Sequence, residues 1–396
     1  MAQLMNTGKE MKVSLVALFP WVSVSTPVIS TTKYFLLQGC KVDLYVSPSK
    51  MLKEYALPAF LLSDLNLQVI PYTSSNRYKK PWSTLLRIYH FFKGIHSSDA
   101  IEFAFTFRKK RYDISIGYDA SGIEHAYLAN HFWKSTLIYH NLEFHESDDR
   151  LKKAEIKICN NISCILTQSD LRAKILARIN QCAVENFKVL YNSSYLEKDN
   201  RSEHYFNDLF HLDQSKFLVL MNGSIIPETC VMETLETLSK WPPNAVLIMH
   251  GWCPHQSLRD EIEKYRNEFP DKLFLSHNFI DFEHKLKLFR SVQLVLVFYH
   301  STDENHSSAA GSSGKFYDAL MTGRPVVANN IEGMAEMIFP GNLGYVIKSM
   351  DELPHAISLS MKNHAVLSQN AYHAFDQYSF SSSMDKVLED LLNKHQ

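Results

Sequence analysis

Ser312-Ser-Gly-Lys-Phe-Tyr-Asp-Ala-Leu-Met-Thr-Gly-Arg-Pro-Val-Val-Ala-Asn329, followed by Glu332-Gly-Met-Ala-Glu336, runs from a small-residue loop into a short helix and on into a buried strand. Each part has its own physical task. Ser312, Ser313 and Gly314 fall where strand and loop hand over to the helix. Unsatisfied backbone N–H groups and the positive end of the helix dipole suit an anion there, and Lys315 adds a full charge. Gly323 ends the helix and Pro325 opens the next strand.

On either side of this stretch, short apolar runs of strand length alternate with longer helical patterns. In the first half the pattern predicts strands at 12–19, 41–46, 67–72, 112–117, 136–139, 164–167 and 188–191. Helices are expected between them at 27–38, 82–95, 122–132 and 170–179. The polar stretch 196–216 breaks the rhythm and reads as a linker. A second set of strands follows at 217–221, 245–250, 272–276, 292–299, 325–329 and 344–347. Its helices are expected at 228–240, 257–268, 282–289, 315–322 and 352–362. Such alternation demands right-handed crossovers and mainly parallel sheets. The expected fold is therefore α/β: two Rossmann-like parallel-sheet domains facing each other across a cleft, with ligands at the carboxyl ends of the strands. The domains are read as 1–200 and 215–375, with 376–396 a C-terminal helix packing back on the first.

Composition agrees with a soluble protein of this size. The chain has 396 residues, 45% hydrophobic and 21% charged. A formal net charge of -1 gives no overall pull toward nucleic acid or membrane. The six cysteines form no CxxC pair, which reads as reduced thiols in a cytosolic protein. The apolar run 13–24 is interrupted by Pro20 and Trp21 and suits a buried strand better than a signal peptide. No later run is long enough to span a membrane.

The 312–336 stretch resembles the nucleotide-sugar-binding half of the GT-B glycosyltransferases, in particular the group 1 (GT4-like) sequences. Their mark is an acidic residue, a short helix, then G-x-P-V-[IV] and a downstream G-x-x-E, matched here by Asp318, Gly323, Pro325, Val326, Val327, Gly333 and Glu336. The resemblance implies that Ser312, Ser313, Gly314 and Lys315 grip the diphosphate of a UDP-linked sugar, with Asp318 near the ribose. It also implies that Gly223 and Ser224, in the turn Met221-Asn-Gly-Ser-Ile, approach the distal phosphate, and that Phe279 in 277–280 meets the base. The sequence departs from the family at two places. Where many members carry two glutamates separated by seven residues, it holds Ala310 and Asp318. Ile225, Ile226, Pro227 and Glu228 replace the Arg and Lys that often follow the glycine turn, which leaves Lys315 as the main cation. The implied donor is a substrate; no cofactor is expected, and no D-x-D metal pair stands out.

In the first half, Asp119 and the stretch 137–143 put ionisable groups where buried strands run out. Glycosyl transfer needs the acceptor hydroxyl relieved of its proton. Asp119 and Glu143 are the candidate bases, with His140 as partner or as a contact to donor hydroxyls; Asp119 as a mere helix cap is the competing reading. Between Arg77 and Arg111 basic residues interleave with aromatics, which fits either an anionic membrane surface or a solvated helix face. No nucleic-acid module surrounds them. The expectation is a glycosyltransferase moving a sugar to a glycan or lipid-linked acceptor, as in polysaccharide biosynthesis, in the cytoplasm and peripheral to the inner face of the membrane. A UDP-sugar 2-epimerase-like enzyme and a catalytically silent nucleotide-sugar-binding partner remain as alternatives.

Overall fold

The alternation read from sequence becomes two separate doubly wound sheets in the computed structural model, which describes residues 10–48, 57–73, 96–145 and 147–393. The chain divides into two compact units, Met1–Tyr191 with Phe380–Gln396, and Asn192–Ser379.

In the first unit, β1 (Lys12–Ala17), β2 (Lys41–Val46), β3 (Leu67–Pro71), β4 (Ile114–Tyr118), β5 (Thr136–His140), β6 (Ile165–Thr167) and β7 (Phe187–Val189) form one sheet, ordered β3-β2-β1-β4-β5-β6-β7. Neighbours are parallel, and Leu15 stands between Leu44 and Ile116. Helices cover both faces, so a strand such as β1 is buried at every residue after Lys12 and shows no polar alternation. Full burial of Val13 or Leu15 contributes about 1.5–3 kcal/mol each. Gly122 lets the helix Asp119–Trp133 lie close on β1, because a Cβ there would stand 2.3 Å from the Val16 carbonyl oxygen. The helix Phe380–Asn393 follows the second unit in sequence but belongs to the first. Its Asp385 accepts a hydrogen bond from Tyr34, and its Asp390 pairs with Lys188 of β7 at 2.6 Å.

The second unit carries β8 (Phe217–Ser224), β9 (Ala245–Trp252), β10 (Leu273–Ser276), β11 (Leu294–Val297), β12 (Val326–Asn329) and β13 (Gly344–Ile347), ordered β10-β9-β8-β11-β12-β13 and again parallel. Strand order reverses between β1 and β4 in one sheet and between β8 and β11 in the other. In an open parallel sheet the crevice for a ligand lies at the carboxyl ends of the strands at that switch.

Every strand position expected from sequence holds a strand, with ends displaced by up to three residues. Helices differ more. The stretch 228–240 is broken because Cys230 adopts φ 56, which separates the turn Pro227–Thr229 from the helix Val231–Glu236. The stretch 282–289 splits into a turn, Phe282–His284, and the helix Leu286–Arg290. The helix begun near 352 runs on as Leu353–Ala374. The expected helix 82–95 lies outside the described residues.

The stretch read as a linker is tied to the second unit. Asp199 pairs with Arg290 at 3.0 Å, Glu203 N donates to Arg290 O at 3.0 Å, and residues Tyr205–Phe210 form a helix. Its charges, which suggested a solvated connector, are in part the partners of Arg290.

Candidate functional site

At the switch of the second sheet, β8 ends in Gly223 and Ser224, both exposed. Gly223 has φ 98, and none of the described residues stands within 4 Å of where a Cβ would be. The chain then turns through Ile225, whose N–H donates to Trp252 O at 2.9 Å. Beyond β11 and a short helix, the helix Gly314–Met321 starts at the same carboxyl edge. Ser313, the residue before it, does not cap it with its side chain. The Ser313 hydroxyl instead meets the Tyr299 hydroxyl at 2.9 Å. The helix mouth therefore keeps its positive end uncovered by its own N-cap side chain. Ser312 is held from behind, its carbonyl accepting from Asn192 Nδ2 at 2.7 Å.

Lys315 Nζ stands 4.8 Å from the centre of the Tyr299 ring, a cation–π contact that steers the side chain without neutralising it. Its charge also reaches the loop after β8. Burial pushes the Cys230 thiol up to about 12, with Glu233 adding to the rise and Lys315 opposing it. Lys315, Cys230 and Glu233 thus share one neighbourhood. His300, just past β11, joins it: Nε2 lies 2.8 Å from Glu233 Oε1, and its backbone N–H donates to Glu228 O at 2.8 Å.

Asp318 sits one turn into the helix and is buried. Its Oδ1 accepts from Ser194 Oγ at 2.7 Å, and its Oδ2 pairs with Lys285 Nζ at 2.7 Å. Both carboxylate oxygens thus have protein partners, which a buried charge requires. Removing the cation by Lys285→Met is expected to destabilise the protein by about 3–5 kcal/mol, the penalty of stranding a buried charge. Asp318→Asn in the same chain recovers part of that loss, as read by urea unfolding midpoints.

Phe279 and Trp252 are 54% and 61% exposed, which is unusual for large aromatics and marks the carboxyl edge near β9 and β10. His277 Nδ1 donates to Gly251 O at 2.9 Å, which ties the 277–280 stretch to the end of β9. Close approach of β8 and β9 here requires Gly251, where a Cβ would lie 1.9 Å from the Gly223 carbonyl oxygen.

In the first unit, Asp119 follows β4 in the left-handed region, φ 52, a conformation that Asp tolerates better than most residues. It does not cap its own helix. Its Oδ1 accepts from Leu142 N at 2.7 Å and Glu143 N at 3.0 Å, in the loop after β5. Burial pushes its carboxyl up to about 7, against the pull of those two amides, with Glu143 and Glu155 adding repulsion. Oδ2 makes no hydrogen bond among the described residues.

His140 ends β5, is 1% exposed, and has no hydrogen-bond partner on either ring nitrogen among the described residues. Burial holds its pKa down at about 3, so the ring stays neutral. Its ring centre lies 5.2 Å from that of Tyr118. Glu143 is exposed, and its carbonyl accepts from Asn141 Nδ2 at 2.8 Å. The fold therefore brings Asp119, His140 and Glu143 to the ends of two adjacent strands, with the Asp119 carboxylate held by the Glu143 backbone N–H.

Below them lies a layer that sequence reasoning missed. Gln168 Nε2 donates to Asn141 O at 2.5 Å, and Arg172 Nη2 donates to Leu142 O at 2.8 Å. Arg172, 1% exposed, also lies 4.1 Å over the Phe144 ring. Tyr139 OH donates to Glu155 Oε1 at 2.7 Å, while Lys152 pairs with Glu155 Oε2 at 3.0 Å. These contacts hold the 141–144 loop that carries the two amides facing Asp119. Their only trace in the sequence is a set of polar residues at positions that ought to be apolar.

Of the basic stretch 77–111, residues 77–95 lie outside the described residues. Phe103 belongs to the core with Tyr45 and Trp133, whereas Phe105, Arg108, Lys109 and Arg111 are exposed. Lys110 is committed to Asp43 at 2.8 Å. Among the described residues, no group of three His, Cys, Asp or Glu could hold a metal ion, and no helix is long and apolar enough to cross a membrane.

No family model matches the chain, and no curated protein matches it in sequence. Solved structures match over nearly its whole length. Alr3699/HepE of Anabaena, solved in complex with UDP, superimposes with a TM-score of 0.70 at 14% identity, covering 97% of this chain and 100% of that one. A glycosyltransferase from Rickettsia africae ESF-5 gives 0.70 at 15% identity, over 96% and 97% of the two chains. The lipopolysaccharide outer core galactosyltransferase WaaB gives 0.60 at 12%, over 96% and 99%. The likeness is one of fold: two Rossmann-like parallel-sheet units of the GT-B kind.

Proposed function

We propose that the chain is a glycosyltransferase that takes a UDP-linked sugar as donor and transfers the sugar to a hydroxyl of a glycan or lipid-linked acceptor. The observation that carries this reading is the helix Gly314–Met321, whose mouth is uncapped by Ser313 and bears Lys315 at the switch edge of its sheet. That arrangement suits a diphosphate. The UDP and UDP-glucose complexes of HepE, on the same fold, support the choice of donor.

Donor binding is assigned to the second unit. Lys315, the helix mouth and the Gly223-Ser224 turn take the diphosphate, and the exposed Phe279 and Trp252 are assigned to the base. Proton removal from the acceptor is assigned to the first unit, with Asp119 Oδ2 as the accepting atom. As the acceptor oxygen bonds to the anomeric carbon, the bond from that carbon to the phosphate oxygen breaks. The nucleoside diphosphate leaves with charge that Lys315 stabilises. Neutral His140, with unsatisfied ring nitrogens whose burial is unfavourable by about 1–3 kcal/mol, is suited to sugar hydroxyls. Exposed Phe105, Arg108, Lys109 and Arg111 support a cytoplasmic protein peripheral to an anionic membrane.

The test is a thermal-shift screen of nucleotides and nucleotide sugars. UDP at one hundred times its dissociation constant is expected to stabilise the protein by about 2.7 kcal/mol. Absence of any shift with every nucleoside diphosphate would reject the reading. Conversion of UDP-glucose alone into an isomer would replace it with epimerisation.

A further inference from the structure

We propose that His300, held by Glu233, is a second contact to the donor diphosphate, one that works only when protonated, so that donor and proton bind together. This rests on reading the second unit as a nucleotide-sugar site. His300 lies just past β11, beside the switch with β8 where the diphosphate is assigned. Its Nε2 is 2.8 Å from Glu233 Oε1 and its ring is 39% exposed, while Nδ1 makes no hydrogen bond among the described residues.

The chemistry follows from the tautomer. A carboxylate facing Nε2 fixes the proton there, and a neutral ring then presents only a lone pair at Nδ1. A phosphate oxygen repels that lone pair. Protonation turns Nδ1 into a charged donor, and Glu233 stabilises the resulting imidazolium. The diphosphate of a nucleotide sugar carries two negative charges, and Lys315 supplies one positive charge. No basic residue follows Gly223 and Ser224 before Val231. A protonated His300 brings the account near balance, together with the helix dipole of roughly half a charge.

The surrounding charges agree. From the Val231–Glu236 helix Glu233 faces the ring, and from the preceding turn Glu228 offers its carbonyl. Cys230, its thiol pushed up to about 12 by burial, is uncharged. Lys315 stands over Tyr299, next to His300 in sequence. Tyr299 also has His306 at 6.5 Å between ring centres, itself paired with Asp303 at 2.7 Å.

The test uses the full chain and UDP-glucose, whose diphosphate has no group titrating near neutrality. Calorimetric titration at pH 7.5 in two buffers of different ionisation enthalpy reads the protons taken up on binding. Wild type is expected to take up protons on binding, and its affinity to fall by up to about tenfold per pH unit as pH rises. His300→Gln, with an unchanged melting temperature, is expected to abolish that uptake, flatten the pH dependence and weaken binding at pH 6.5 about tenfold. Lys315→Ala is expected to weaken binding while uptake persists. Binding without proton uptake in wild type, or uptake that survives His300→Gln, overturns the inference and leaves the donor site standing. Failure of both UDP and UDP-glucose to bind wild type rejects the donor site, and this inference with it.

Discussion

Asp119→Asn is expected to lower turnover by about 10²–10⁴-fold, the usual span for a lost general base, while donor affinity stays at the wild-type value. The amide keeps an oxygen that can accept from Leu142 N and Glu143 N, so the loop they belong to stays anchored. What disappears is an oxygen able to take a proton. The pH dependence sharpens the test. With its carboxyl raised to about 7 by burial, Asp119 becomes a base as pH rises through neutrality. Turnover should therefore climb to a plateau above pH 7, and the limb should vanish in the Asn variant. Stability runs the opposite way. A carboxyl whose folded pKa lies above its unfolded one stabilises the fold fully below about pH 4, and this contribution is lost as pH rises toward 7. The corresponding fall in melting temperature between pH 5 and pH 8 should be smaller in Asp119→Asn. Glu143→Gln, at an exposed position, is expected to affect turnover far less; the reverse ranking of the two variants would move the base to Glu143.

Lys315→Ala is expected to weaken UDP binding by about 1.5–3 kcal/mol, or roughly 10- to 150-fold. Loss of one charge-assisted hydrogen bond in a partly desolvated setting has that size. The fold should tolerate the change, because Lys315 is only half-buried and makes no ion pair among the described residues; its ordered contact is the Tyr299 ring. Tyr299→Leu should produce a smaller loss, since it frees the lysine without removing it. Unchanged UDP affinity in Lys315→Ala, measured by calorimetry, would detach the diphosphate from this helix.

The strands were readable because parallel sheets covered on both faces write themselves as apolar runs, as in Val13–Ala17 or Val219–Met221. The helix Gly314–Met321 was readable from its glycine and proline boundaries. Helix 228–240 was not, since its break depends on Cys230 holding a left-handed conformation that no local residue type announces. Pairings across long sequence separations were equally hidden. Asp318 was expected near a ribose from its place in a motif, whereas Lys285 and Ser194, which occupy its oxygens, lie far off in sequence. Helix capping stood as the competing reading of Asp119 for the same reason: its amide donors come from residues 142 and 143, on the loop after the next strand. His300 and Glu233 carried no motif at all.

The placement of Phe380–Asn393 has a consequence for biosynthesis. The second unit is one unbroken segment, Asn192–Ser379, while the first needs residues made only after that segment is complete. At ordinary translation rates the ribosome takes roughly 10–40 s to cover the interval. During that delay the nascent first unit lacks the cover that Met384, Val387 and Leu388 later provide, so the second unit, though translated later, has every piece of its own core first.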